Sequence, residues 1–129
     1  MSNKKQEIGT ITWTDLTVSN AEEIKDFYEK VTGWKPEPLS MGEYDDFVMN
    51  TLGTKTAVAG VCHSLGSNAA LPPQWLIYIT VENIDESIQF CRELGGKAIR
   101  GPKNYAGMGK YSVIQDPAGA VCAFFEPKE

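Results

Sequence analysis

The sequence predicts an α+β fold of two tandem βαβββ modules, and three observations carry that prediction. First, Val18-Ser-Asn-Ala-Glu-Glu-Ile-Lys-Asp-Phe27, closing at Gly33, recurs as Val81-Glu-Asn-Ile-Asp-Glu-Ser-Ile-Gln-Phe90, closing at Gly96, with every matched pair 63 residues apart. A fixed period of that size means two copies of one supersecondary unit. Second, each copy runs from a β-branched stretch into a helical period and then into short strands. Third, turn residues punctuate both copies at the same stages.

The first element is a strand over Thr10–Val18, rich in β-branched residues. Asn20 with Glu23 three residues later reads as a capping-box variant. Ala21, Ile24, Tyr28 and Val31 follow at helical spacing, and Gly33 is the stop. Three strands are expected near 34–39, 44–50 and 55–62, with Thr51-Leu-Gly-Thr54 as the hairpin between the last two. The linker Ser64–Pro73 joins the modules. In the second copy the strand is Trp75–Val81, and Asn83 with Glu86 caps a helix whose buried stripe is Ile84, Ile88, Cys91 and Leu94. Strands near 97–100, 110–115 and 120–126 complete it, the last two joined by the turn Asp116-Pro-Ala-Gly119. Gly101–Gly109 reads as a glycine-rich loop, either a lid carrying Tyr105 and Met108 or a plain hairpin loop. Its glycines do not follow a strand into a helix, which excludes a nucleotide-phosphate fingerprint.

At 129 residues the chain is expected to form one domain, with module one over about 8–63 and module two over about 74–127. A net charge of −5 and a pI near 4.9 argue against nucleic acid, which rewards clustered Lys and Arg. No apolar run approaches the roughly twenty residues of a membrane helix, and the start lacks the apolar core of a secretory signal. Three cysteines, Cys62, Cys91 and Cys122, form no C-x-x-C pair. A disulfide framework or zinc knuckle is therefore not expected, and a reducing cytoplasm is.

Taken together, Val18…Phe27-Tyr28…Gly33-Trp34, Trp75–Asn83, Glu93–Gly96, Gly101-Pro102 and Gln115–Ala120 resemble the vicinal oxygen chelate superfamily, in its glyoxalase-related branch. That group holds glyoxalase I, bleomycin-resistance proteins and extradiol dioxygenases. The resemblance implies a curved mixed sheet around a cavity and a homodimer. In the metal-dependent members four ligands, usually His, Gln or Glu, come from the first and last strands of each module. Alignment puts those positions on Trp13, Gly60, Leu76 and Ala123, none of which has a side chain that can give a lone pair to a divalent ion. The expectation is no metal and no cofactor. His63, the only histidine, and Glu126 could serve only if a strand slipped by an odd number of residues, so His63 reads as a solvated side chain.

With a period of two, Asp15 joins Trp13 on the presumed cavity face, Tyr78 joins Leu76, Cys62 joins Gly60, and Phe125 joins Ala123. Tyr111 and Val113 join the last pair. These ten are the expected ligand-binding residues, an apolar set with a few polar atoms. Asp15 and Tyr78 hold repeat-equivalent positions and are expected to approach each other. Asp15 either makes a structural hydrogen bond, orients a ligand, or acts as a general base with Tyr78 as acid. Trp13 either stacks on a planar ligand or plugs the vacated metal position. Trp75 falls on the opposite face, toward the second helix. Cys62 reads as inert packing, because a reactive thiolate needs a neighbouring histidine or a helix N-terminus. The function expected is metal-free binding of a small organic molecule. The alternatives are a lyase, isomerase or hydrolase-like enzyme using Asp15 and Tyr78, or a metal enzyme with differently placed ligands.

Overall fold

The computed structural model describes residues 7–65, 71–105 and 107–128, so linker positions 66–70 and Ala106 of the glycine-rich loop lie outside the described residues. Among these, eight strands and two helices follow as β1 (Ile11–Val18), α1 (Ala21–Thr32), β2 (Lys35–Ser40), β3 (Asp45–Asn50), β4 (Ala57–His63), β5 (Trp75–Thr80), α2 (Ile84–Glu93), β6 (Lys97–Asn104), β7 (Gly109–Gln115) and β8 (Val121–Pro127). The fold is α+β, with two βαβββ modules in tandem. No helix among the described residues is long and apolar enough to cross a membrane.

The chain divides into two compact units, one of Trp13–Trp75 and the other of Leu76–Glu129 with the residues up to Thr12. In the first unit the strands lie in the order β2-β3-β4-β1. β1 runs parallel to β4, and the hairpin neighbours are antiparallel. Phe47 and Met49 of β3 lie opposite Val61 and Ala59 of β4. Those four, with Ala21 of α1, form a buried core onto which Ile24 and Tyr28 pack. The helix therefore covers the face bearing the odd-numbered residues of β3 and β4. Val31 is 63% exposed, so the expected stripe of α1 ends one turn early. Trp75 also departs from expectation. Its ring meets Tyr28 and Trp34 edge-on and its Nε1 donates to the Tyr28 hydroxyl at 3.2 Å, so it packs with α1. Period two correctly turned Trp75 away from Leu76, but only tertiary packing chooses the helix it meets.

In the second unit the order is β6-β7-β8-β5, with β5 parallel to β8. Gly9 and Thr10 extend this unit by exchanging backbone hydrogen bonds with Thr80. Ile84 and Ile88 of α2 are buried, whereas Leu94 is 75% exposed and lies outside the stripe. Leu94 is the C-cap residue, one position past the last helical residue Glu93, and so has left the helix face.

The two helix starts use different chemistry. Asn83 accepts from the Glu86 N–H at 3.0 Å, as a capping residue should. Asn20 instead donates its side-chain amide to the Glu23 carboxylate and makes no side-chain cap bond to α1. α2 gains a second partner, because the Glu126 carboxylate accepts the Ile84 N–H at 2.8 Å. The turn before β8 follows expectation. Asp116 Oδ1 accepts from Ala118 N and Ala120 N, and Gly119 takes a positive φ of 93°.

The glycine-rich stretch is more ordered than its composition suggests. β6 continues through Gly101-Pro102 to Asn104, and β7 already begins at Gly109. β6 is an edge strand, which tolerates a residue that cannot donate a ladder hydrogen bond. Register shifts around Arg100 absorb the irregularity. The expected nine-residue loop is thus a short hairpin connection closed by Tyr105 N–H to Gly109 O and Met108 N–H to Tyr105 O.

Candidate ligand site

In the first unit the register sets Asp15 directly across from Gly60 and Thr17 across from Cys62. Asp15, Gly60 and Cys62 therefore share one sheet face, opposite the face that carries the α1-packed core, and Trp13 joins them by the two-residue period. The Trp13 Nε1–H donates to Asp15 Oδ1 at 2.6 Å. A Cβ at Gly60 would stand 2.5 Å from that oxygen and 3.6 Å from the indole nitrogen. The missing side chain of Gly60 is thus the space into which the carboxylate folds, with the indole fixing it from one side. Both Trp13 and Asp15 are half-buried.

Cys62 has a neighbour that the sequence did not reveal. Asp46 of β3 is buried and lies near enough to the Cys62 thiol for its negative charge to act on it. The same Asp46 accepts from the backbone N–H of His63 at 2.8 Å, and its Oδ1 lies 3.4 Å from His63 Nδ1. Burial first, then the negative charges of Asp15 and Asp46, push the thiol well above its ordinary range. Its reactive thiolate form is therefore disfavoured. His63 is not the solvated residue expected. Its ring packs edge-on against Tyr44 and its side chain is only 13% exposed. Alternation through β3 does place Asp46 with Val48 on the face opposite Phe47, but nothing local in the sequence pairs it with a residue seventeen positions away.

In the second unit Tyr78 lies opposite Ala123, and Thr80 opposite Phe125. Val113 and Tyr111 of β7 lie opposite Ala123 and Phe125. The repeat thus holds at the level of register, since Asp15 with Gly60 and Tyr78 with Ala123 are matched pairs. Leu76, Tyr78, Val113 and Ala123 are buried, however, so they form floor rather than open wall. Tyr111 and Phe125 are half-buried, and Tyr105 meets both edge-on. Tyr105 therefore caps this face, while Met108 is exposed. Thr80 Oγ1 and Arg100 Nε are buried with no hydrogen-bond partner. A separate shallow cavity of about 440 Å³ lies beside Asn104, Gly109, Lys110 and Lys128. No sequence-predicted ligand residue lines it.

The four positions that the resemblance assigns to metal ligands do not fit a metal. The Trp13 nitrogen carries the hydrogen it gives to Asp15, and Gly60, Leu76 and Ala123 offer no donor atom. Among the described residues no group of three or more His, Cys, Asp or Glu side chains is placed to hold a cation.

Replacing Gly60 by Ala should force the Asp15 carboxylate off its seat and break its bond to Trp13. The expected cost is about 1–3 kcal/mol of stability, with a marked shift of the Trp13 indole N–H resonance. An unmoved resonance would show that Asp15 does not depend on the space over Gly60.

The chain resembles known proteins in sequence and in fold. The Glyoxalase/Bleomycin resistance protein/Dioxygenase superfamily matches over residues 10–124. "Putative glyoxylase CFP32" of Mycobacterium tuberculosis is 29% identical over 122 residues, covering 92% of this chain and 46% of the relative. "Anthracycline biosynthesis protein DnrV" of Streptomyces peucetius is 28% identical over 121 residues, covering 94% of this chain and 42% of the relative. The chain thus spans less than half the length of these relatives. Among solved structures, hypothetical protein BH1468 of Bacillus halodurans superposes with a TM-score of 0.63 at 18% identity, covering 95% and 97% of the two chains. Methylmalonyl-CoA epimerase of Mycobacterium tuberculosis does so with 0.57 at 12% identity, covering 90% and 86%. These likenesses support the fold, and the match over residues 10–124 decides the family: the chain belongs to the Glyoxalase/Bleomycin resistance protein/Dioxygenase superfamily.

Proposed function

We propose that this chain is a metal-free binding protein for a small organic molecule. The observation that carries the proposal is the seat built at the first-strand metal position. There an indole and a carboxylate are joined at 2.6 Å over Gly60, whose side chain is missing, where the resemblance calls for metal ligands. A carboxylate held in that way orients a ligand hydroxyl or cation, and Trp13 offers an aromatic edge beside it. The proposed ligand contacts of the second unit are Tyr78, Tyr111 and Phe125, above a floor of Leu76, Val113 and Ala123. The three cysteines are free, which suits a reducing cytoplasm, and a homodimer is the assembly that the superfamily resemblance implies.

A second reading is enzymatic, with Asp15 as the general base. Asp15 is favoured for that role over Cys62, whose thiol is held protonated.

A thermal-shift panel on chelator-treated protein tests both readings. It would cover divalent metals, glutathione conjugates, cationic glycopeptides and planar aromatic metabolites. A ligand at a hundred times its dissociation constant adds about 2.7 kcal/mol. Stabilisation by an organic compound alone, weakened about tenfold in Asp15→Asn, is the expected result. Stabilisation by a metal alone would overturn the metal-free reading. Turnover that disappears in Asp15→Asn while folding is spared would establish the enzymatic one.

A further inference from the structure

We propose that the sheet face of the second unit bearing Arg100 is a carboxylate-binding subsite for the small organic ligand, an inference that rests on the binding function proposed above. The placement of Arg100 depends on one extra residue. Ala98 lies opposite Ile114, but Arg100 lies opposite Val113, so the ladder slips at Ile99. Without that bulge Arg100 would share the face of Ala98; with it, the side chain is re-aimed onto the face of Val113, Ala123 and Tyr78. The buried Ser112 holds the new register, donating its hydroxyl to the Arg100 carbonyl at 2.7 Å.

The register then forms a row across four strands: Arg100, Val113, Ala123 and Tyr78. A guanidinium and a phenol flank two apolar positions that are fully buried. By the register, no aspartate or glutamate of these four strands lies on that face. Its other charges are Lys97 and Lys103, which lie opposite Gln115 and Tyr111 and are exposed. Glu126 belongs to the opposite face, where it accepts the Ile84 N–H. Arg100 takes part in no ion pair among the described residues, and its Nε is buried without a hydrogen-bond partner. Thr80 Oγ1, on the same face, is likewise buried and unpartnered.

A buried donor without a partner is costly, and a cation on an apolar floor more so. One ligand group answers both. A carboxylate accepts from Nε and a terminal nitrogen of the guanidinium in the parallel, two-bond geometry that arginine favours. A single guanidinium balances one negative charge, which fits a carboxylate better than a phosphate dianion. The ligand class is therefore a small organic acid whose apolar body rests against the aromatic side of this face.

The test compares 2-naphthoate with its uncharged twin 2-naphthamide, following the arginine Nε–H resonances of the whole chain. The sequence contains two arginines, Arg92 and Arg100, so Arg92→Lys assigns the signals. Naphthoate should move the Arg100 signal and leave Arg92 in place. The amide, and naphthoate with Arg100→Gln, should bind about tenfold more weakly or worse, with Arg100→Lys between them. Because the wild-type titration requires no variant, a folding defect in Arg100→Gln does not blunt the test. Equal binding of the two compounds, or an unmoved Arg100 signal on binding, overturns the carboxylate subsite and leaves small-molecule binding standing. Failure of both compounds to bind overturns the subsite and counts against the binding function beneath it.

Discussion

Gly96→Ala should destabilise the protein by about 3 kcal/mol, lowering the melting temperature on the order of 10 °C. An added Cβ would stand 2.6 Å from Cys91 Sγ and 2.7 Å from the backbone carbonyl of Gln115. The thiol can turn aside, but the carbonyl belongs to the β7 ladder and can yield only by moving the strand. Gly33, its repeat partner, is a different case. It has a φ of 86° and donates its N–H to Glu29 O as the left-handed cap of α1, with nothing within 4 Å of an added Cβ. Gly33→Ala should cost only the conformational penalty, about 1–2 kcal/mol. Thermal unfolding of the two variants side by side checks this. Equal losses would mean that both glycines serve as turn residues and that the close approach at Gly96 is of no consequence.

Phe47→Ala should have the larger effect, about 3–5 kcal/mol, a sizeable part of the stability of a domain this size. The Phe47 ring is buried among Met49, Ala59, Val61 and Ala21, and Lys25 Nζ lies 5.1 Å from its centroid. Truncation leaves a cavity between α1 and the sheet, and the surrounding strands, tied by their ladders, cannot collapse into it. Phe27 and Phe90 provide the contrast. They mark the repeat in the sequence, yet both are more than half exposed, so truncating either should change stability by about 0.5 kcal/mol at most. Chemical denaturation of the three variants separates them. A loss at Phe90 comparable to that at Phe47 would mean that the outer face of α2 is covered in solution.

That Asp15 and Gly60 share a sheet face, as do Tyr78 and Ala123, was legible because period two and a constant 63-residue offset both survive folding; which residue lies opposite which came from the ladders. A register error by one residue would have turned every side chain over, and the buried core opposes that error. The same arithmetic fails wherever one extra residue enters. Ile99 interrupts the alternation in β6, and no sequence pattern marked that Arg100 would change face. Gly101-Pro102 suggested a break in structure, whereas an edge strand accommodated it.

Properties that depend on near neighbours were readable from the chain alone: the repeat, the type and order of the elements, the Asp116–Gly119 turn, the stop at Gly33, and the faces of regular strands. Tertiary structure decided what depends on groups far apart in the chain. It set Trp75 against Tyr28, buried Asp46 beside Cys62 and His63, and seated the Asp15 carboxylate in the space over Gly60. The physical reason is that period and propensity are local quantities. Which atom fills a gap or satisfies a buried donor is settled only when distant strands come to lie about 5 Å apart.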